Sequence, residues 1–158
     1  MLKNSKGFTI IELVTVIILL GILAVAVVPK FDGTSSYEAY AFRDQLISAL
    51  RLTQQRAMQN TDNSYCNQIV IDSDKYGVPD RTDCSVKTIP STGWTPDATG
   101  HIVDDKYEVT FGASPNVISF DSIGRPLEDC LGGCTITVSS AVESLNITIE
   151  SEGYIHAT

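Results

Sequence analysis

Histidine is nearly missing from this chain: His101 and His156 are the only two in 158 residues, and neither falls in a recognisable motif. The sequence has no GxSxG, no HExxH and no phosphate loop, so the patterns that carry acyl transfer, zinc hydrolysis or nucleotide chemistry are absent. Nothing in it supports an enzyme, a cofactor or a catalytic metal. Positive charge is also scarce, with 11 Lys and Arg against 19 Asp and Glu, a formal −8. Nucleic acid is therefore not an expected partner, because phosphate contact needs Lys and Arg to displace counterions. The same balance gives no support for docking on anionic lipid and reads as a solvated, exported surface. Internal repeats and low-complexity linkers are absent too. The length fits one domain, and 43% apolar residues suffice for a core.

What is present is concentrated at the N-terminus. Met1 to Gly7 (MLKNSKG) is short and polar, and Phe8 to Val28 (FTIIELVTVIILLGILAVAVV) is almost wholly apolar. At ~1.5 Å per residue the apolar run is roughly 31 Å long, about the thickness of a bilayer hydrocarbon core. Lys3 and Lys6 on the short side place the N-terminus in the cytoplasm by the positive-inside rule. Everything after Pro29 is then expected outside. A secretory signal peptide competes, because Ala24-Val25-Ala26 has the small-x-small pattern of a cleavage site. Val27 and Val28 continue the apolar run past it, however, and no polar break marks a cut.

Glu12 separates these readings. A carboxylate inside a span costs about 2.5–3.5 kcal/mol and normally faces a partner rather than lipid. Neither a signal peptide nor a plain anchor uses one. An assembling helix does, since a buried carboxylate paired with a positive group on a neighbouring subunit fixes register. The nearest such group would be a new α-amine on Phe8, if the chain is cut after Gly7.

Lys6-Gly7-Phe8-Thr9-Ile10-Ile11-Glu12-Leu13 resembles the class III signal of type IV pilins and type II secretion pseudopilins. The resemblance implies cleavage by a prepilin peptidase between Gly7 and Phe8, N-methylation of Phe8, and a role for Glu12 in recruiting and aligning subunits. It also implies as partners other major and minor pilins, an inner-membrane assembly platform and, before assembly, the lipid bilayer. Gly21 and Pro29 fall where pilin helices commonly loosen, which suits a residue that weakens a helix interior and one that removes a helical hydrogen bond.

After a Gly-Ser loosening at Asp32 to Ser36, helical periodicity returns over Tyr37 to Asn60. Ala39, Phe42, Leu46, Ala49, Leu50 and Ala57 form one face, and Asp44, Ser48, Arg51 and Gln55 the opposite one. Arg43, Arg51 and Arg56 read as a solvated helix face rather than a binding patch. From Tyr65 the pattern turns to β. Strands are expected at Gln68–Asp72, Val86–Ile89, Tyr107–Phe111, Val117–Phe120, Thr135–Ser139 and Leu145–Glu150, separated by Gly, Pro, Asp and Ser clusters. Clean alternation at Ile136/Val138 and Leu145/Ile147/Ile149 leaves one face buried and one wet. The expected class is α+β: a long N-terminal helix whose exported half packs on an antiparallel sheet. The expected organisation is a leader at 1–7, a membrane and assembly helix at 8–29, an amphipathic continuation at 30–60 and a β-rich exported domain at 61–158. Pro90 to Gly100 is the obvious loop, with Trp94 as its packing anchor.

Ile118 to Pro126 (ISFDSIGRP), with Glu152-Gly153-Tyr154-Ile155 near the end, resembles the globular domain of H-type minor pseudopilins and FimT-type pilins. The Pro29-Lys30-Phe31 junction and LRLTQQRAMQN at Leu50–Asn60 are most similar to the C-type minor pilin of the mannose-sensitive haemagglutinin (MSHA) pilus. That likeness implies a low-copy structural subunit serving pilus assembly or adhesion. A minor pseudopilin of a type II secretion system is the alternative, and a DNA-receptor pilin a third reading that the acidic surface disfavours.

Cys66, Cys84, Cys130 and Cys134 all fall on the exported side, and an even number in an oxidising compartment argues for two disulfides. Three connectivities are open, and closeness in sequence favours Cys66–Cys84 with Cys130–Cys134. A four-cysteine zinc site lacks the second close pair it would need. Asp72 to Asp83 partly matches a calcium loop, with acids at positions 1, 3, 9 and 12 and Gly at 6. Tyr76 and Asp83 stand where better ligands belong, and a β-turn with solvated acids is the simpler reading.

Overall fold

The computed structural model describes residues 8–27, 34–60 and 65–158. They fall into two compact units, Met1–Thr34 and Ser35–Thr158. The first holds one helix, α1 (Ile10–Val27), which runs through Gly21 without a break. The expected leader and the Pro29 junction lie outside the described residues.

The second unit opens with α2 (Thr34–Gln59), 26 residues free of Gly and Pro and rich in good helix formers. It begins earlier than periodicity alone indicates, taking Ser35 and Ser36 into its first turn. Ala39, Phe42, Leu46, Ala49, Leu50 and Ala57 are all buried, joined by Ile47 and Thr53, while Asp44, Ser48, Arg51 and Gln55 are exposed. The Thr53 hydroxyl survives burial by donating to the Ala49 carbonyl one turn back.

Among the described residues eight strands form two antiparallel sheets rather than one. The first runs β3 (His101–Ile102), β2 (Lys75–Gly77), β1 (Gln68–Ile71), β5 (Val117–Ser119). The second runs β4 (Thr110–Ser114), β6 (Cys134–Ser139), β7 (Ser144–Ile149), β8 (Ile155–Ala157). A single core binds both to α2: Phe42, Leu46 and Leu50 share it with Ile69, Ile71 and Ile118 of the first sheet and Ile136, Val138, Ile147 and Ile149 of the second. Truncating a side chain such as Leu46 to Ala there costs about 2–5 kcal/mol. Backbone bonds also join the sheets, from the Phe111 N–H to the Ser73 carbonyl.

Several strands differ from expectation. Val86–Ile89 is not a strand. It belongs to a long segment that covers the outer face of β1, where the Gln68 amide donates to the Val86 carbonyl and Val70 is wholly buried. That cover explains why all four β1 residues are buried without alternation. The run expected at Tyr107–Phe111 begins as a 3-10 turn, Asp105–Tyr107, capped by Asp104, and only then becomes β4. β2, β3 and β8 carry no run long enough to stand out. Trp94 packs as an anchor: its indole N–H donates to the Val78 carbonyl, and its ring lies where a Cβ on Gly77 would come within 2.8 Å.

Candidate functional site

The N-terminal motif is built on a helix cap. The Thr9 hydroxyl accepts from the Glu12 N–H at 3.3 Å, and the Thr9 carbonyl takes the N–H groups of Glu12 and Leu13. Thr9-Ile10-Ile11-Glu12 therefore has the spacing of a capping box, with Thr9 as N-cap and Glu12 three residues on, its negative charge at the positive end of the helix dipole. The Thr15 hydroxyl donates to the Glu12 carbonyl and stiffens the next turn. Phe8, ahead of the cap, is non-helical and 84% exposed. The cap thus ends the helix one residue short of Phe8. Gly7 lies outside the described residues.

Every residue from Phe8 to Leu23 is exposed, Glu12 among them. A helix apolar on all sides is stable only where lipid or other helices cover it. At 18 residues α1 is about 27 Å long at ~1.5 Å per residue, under the roughly 20 residues of a straight span. Among the described residues no helix is long and apolar enough to cross a membrane. The expected 8–29 helix is correspondingly shorter here, since Phe8 and Thr9 precede it and Val28 and Pro29 lie outside the described residues.

In the second unit, Cys66 is joined to Cys84 and Cys130 to Cys134, and no described cysteine is free. The twelve residues from Asp72 do not make one loop. Asp72 to Lys75 is a tight hairpin turn closed by the Asp72 N–H on the Lys75 carbonyl, and β2 follows at once. Asp80 and Asp83 are exposed and close Asx turns, accepting from Thr82 and Ser85. Those bonds hold the exposed Asp80 carboxyl below the usual range, the Thr82 N–H contributing most. Among the described residues no cluster of three His, Cys, Asp or Glu could hold a metal ion.

Two of the three helix arginines are structural, not simply solvated. Arg51 donates to the Ile155 carbonyl of β8 at 2.7 Å, and Arg56 pairs with Asp97 at 3.1 Å. Arg43 is half-buried, paired with the exposed Asp44 and lying over the Tyr40 ring. Sequence reasoning also passed over the Thr9 cap, although the T-x-x-E spacing before an apolar run is a readable signal.

Residues 2–28 match the family model for the prokaryotic N-terminal methylation motif. The structure is similar to that of the type IV minor pilin FimU of Pseudomonas aeruginosa strain PAO1, with a TM-score of 0.54 and 12% identity, covering 79% of this chain and 91% of that one. No curated protein matches the chain. Motif and architecture together define the class: a methylation-motif N-terminus ahead of a helix-and-antiparallel-sheet domain with the fold of a type IV minor pilin.

Proposed function

We propose that the chain is a minor pilin, a structural subunit of a type IV pilus of the MSHA kind that serves pilus assembly or adhesion, and not an enzyme. In this reading residues 1–7 are a leader removed by prepilin peptidase between Gly7 and Phe8. Phe8 becomes the methylated N-terminus, residues 8–29 form the membrane and assembly helix, 30–60 its amphipathic continuation, and 61–158 the exported domain. The protein sits in the bacterial inner membrane with its N-terminus in the cytoplasm. It then passes through an inner-membrane assembly platform into a filament of major and minor pilins at the periplasm or cell surface.

The observation that carries this reading is the start of α1. The Thr9 cap keeps Phe8 out of the helix, while Glu12 stands in the first turn facing no partner in its own chain among the described residues. After a cut at Gly7, the α-amine of Phe8 on one subunit and the Glu12 carboxylate of its neighbour are complementary charges in a low-dielectric bundle, where such pairs set register. The paired disulfides suit an oxidising compartment. A minor pseudopilin of a type II secretion system needs the same cap, cut site and carboxylate, and it is the second reading.

Shearing pili from cells with and without prepilin peptidase tests the proposal. The subunit is expected in the sheared fraction only when the peptidase is present. Recovery with pili regardless of the peptidase would contradict processing, and absence from pili in peptidase-positive cells would favour the secretion pseudopilus.

A further inference from the structure

The last turns of α2, the stretch from Tyr65 to Asn67, Val78 and Arg81 line an open cleft of about 460 Å³ that the assembly reading leaves unused. Its walls carry Arg56, Gln59, Asn60, Tyr65, Asn67 and Arg81, and no described lining residue is acidic. Behind the rim, Asp97 fixes both guanidinium groups. Its Oδ2 accepts from Arg56 Nη1 at 3.1 Å and pairs with Arg81 Nη2, while its Oδ1 is held by the N–H and hydroxyl of Thr99. One carboxylate thus orients two arginines and neutralises only one of them.

The donors around this charge are unspent. Among the described residues, Nε and the second Nη of Arg56 and of Arg81 make no further hydrogen bond. The carboxamides of Gln59, Asn60 and Asn67 and the phenol of Tyr65 have no partner there either. Tyr65 is 54% exposed and offers a ring face. The frame is rigid: Cys66 is held by its disulfide to Cys84, and its N–H donates to the Arg81 carbonyl. Among the described residues the cleft carries a pre-set net positive charge, and its free guanidinium donors suit a carboxylate, which arginine binds in a fork. Carboxamides donate and accept at once and so match sugar hydroxyls, which do the same. The volume lies in the range of small-molecule sites. The formal −8 of the whole chain repels an extended polyanion and leaves room for a ligand with a single negative charge.

We propose that this cleft binds an acidic saccharide, its carboxylate on Arg56 and Arg81, its hydroxyls on the three carboxamides and one sugar face on Tyr65. The site stands on the second unit's geometry alone and does not depend on assembly into a filament.

The test is calorimetric titration of the full chain in detergent micelles with sodium glucuronate, glucose and sodium acetate. Glucuronate should bind saturably and at least about tenfold more tightly than either glucose or acetate, since each lacks one half of the recognition. Arg81→Gln, at a half-exposed position, should weaken glucuronate at least about tenfold with an unchanged melting temperature. Tyr65→Ala, which touches no ion pair, should weaken glucuronate and leave acetate unaltered, and it decides the matter if the arginine variant does not fold. Absence of saturable glucuronate binding, equal binding of glucose or of acetate, or full affinity in both variants would overturn the proposal.

Discussion

The side-chain amide of Gln54 donates to the Gly153 carbonyl at 2.7 Å and, through its other N–H, to the Gly124 carbonyl at 2.6 Å. One α2 side chain thereby clamps two turns that are far apart in sequence. Gly153 has a φ of 91°, and a Cβ there would run into the Gly124 carbonyl, so the turns meet backbone to backbone. Gln54→Ala leaves both carbonyls unmet and should lower stability by about 1–3 kcal/mol. Gln54→Glu should do worse, because a carboxylate oxygen then faces carbonyl oxygens. Thermal melting of the two variants against the parent checks this, and an unchanged melting temperature for Gln54→Ala would show that the clamp contributes nothing.

Tyr76 is 1% exposed, packs edge-on against Phe111 with ring centroids 5.2 Å apart, and its hydroxyl has no hydrogen-bond partner among the described residues. Burial pushes its pKa far above the ordinary tyrosine value. Removing a buried, unpaired hydroxyl removes a desolvation penalty of about 1–3 kcal/mol. Tyr76→Phe should therefore match or exceed the parent in chemical denaturation, whereas Tyr76→Ala should lose about 3–5 kcal/mol of packing. A loss of more than about 1 kcal/mol in Tyr76→Phe would mean that the hydroxyl has a partner.

His101 lies against Phe42, with ring centroids 5.5 Å apart, and meets the Gln45 amide at 3.3 Å. Burial depresses its pKa. The folded state then prefers the neutral ring, so its contribution is full above about pH 6.5, the unfolded value, and is lost as pH falls through the lower folded value. Asp121 enters only in more acid solution. Burial alone would raise its pKa, but the N–H groups of Arg125 and Ile123 and the Arg125 guanidinium outweigh that and hold it low. As pH falls below about 6.5 the parent should lose stability, and His101→Asn should lose less of it. Parallel slopes for the two proteins would remove His101 from the account.

Glu12 and Thr9 make separable predictions. Glu12→Ala should remain membrane-inserted and processed yet enter filaments poorly, because the carboxylate proposed to align subunits is gone. Thr9→Val removes the cap hydroxyl and should lower processing as well, since capping contributes about 1 kcal/mol to holding Phe8 outside the helix. Immunoblots of whole cells and sheared filaments measure both steps, and normal incorporation of Glu12→Ala would contradict the role given to that residue.

The buried face of α2 was legible in the chain because periodicity reports burial directly, and Ala39, Phe42, Leu46, Ala49, Leu50 and Ala57 followed from it, while Ile47 and Thr53 did not. The β6–β7 hairpin was legible for the same reason, through alternation at Ile136/Val138 and Ile147/Ile149. Val86–Ile89 misled because a loop that covers a sheet needs apolar residues as a strand does. β3 has two residues and β8 three, too short for any period to show. The division into two sheets rests on long-range bonds such as Phe111 to Ser73, which no local pattern encodes. The arginine cleft was invisible for a similar reason, since Arg56, Arg81 and Asp97 come from separate segments and meet only in the fold.

The central claim is that this chain is cut and assembled through its N-terminus, and the intact mass and N-terminal sequence of the protein from bacterial membranes test it most directly. The account predicts a mature chain that begins at methylated Phe8. A chain beginning at Met1 or at Val27 would mean a plain anchor or a secreted protein, and the filament role would fall with it.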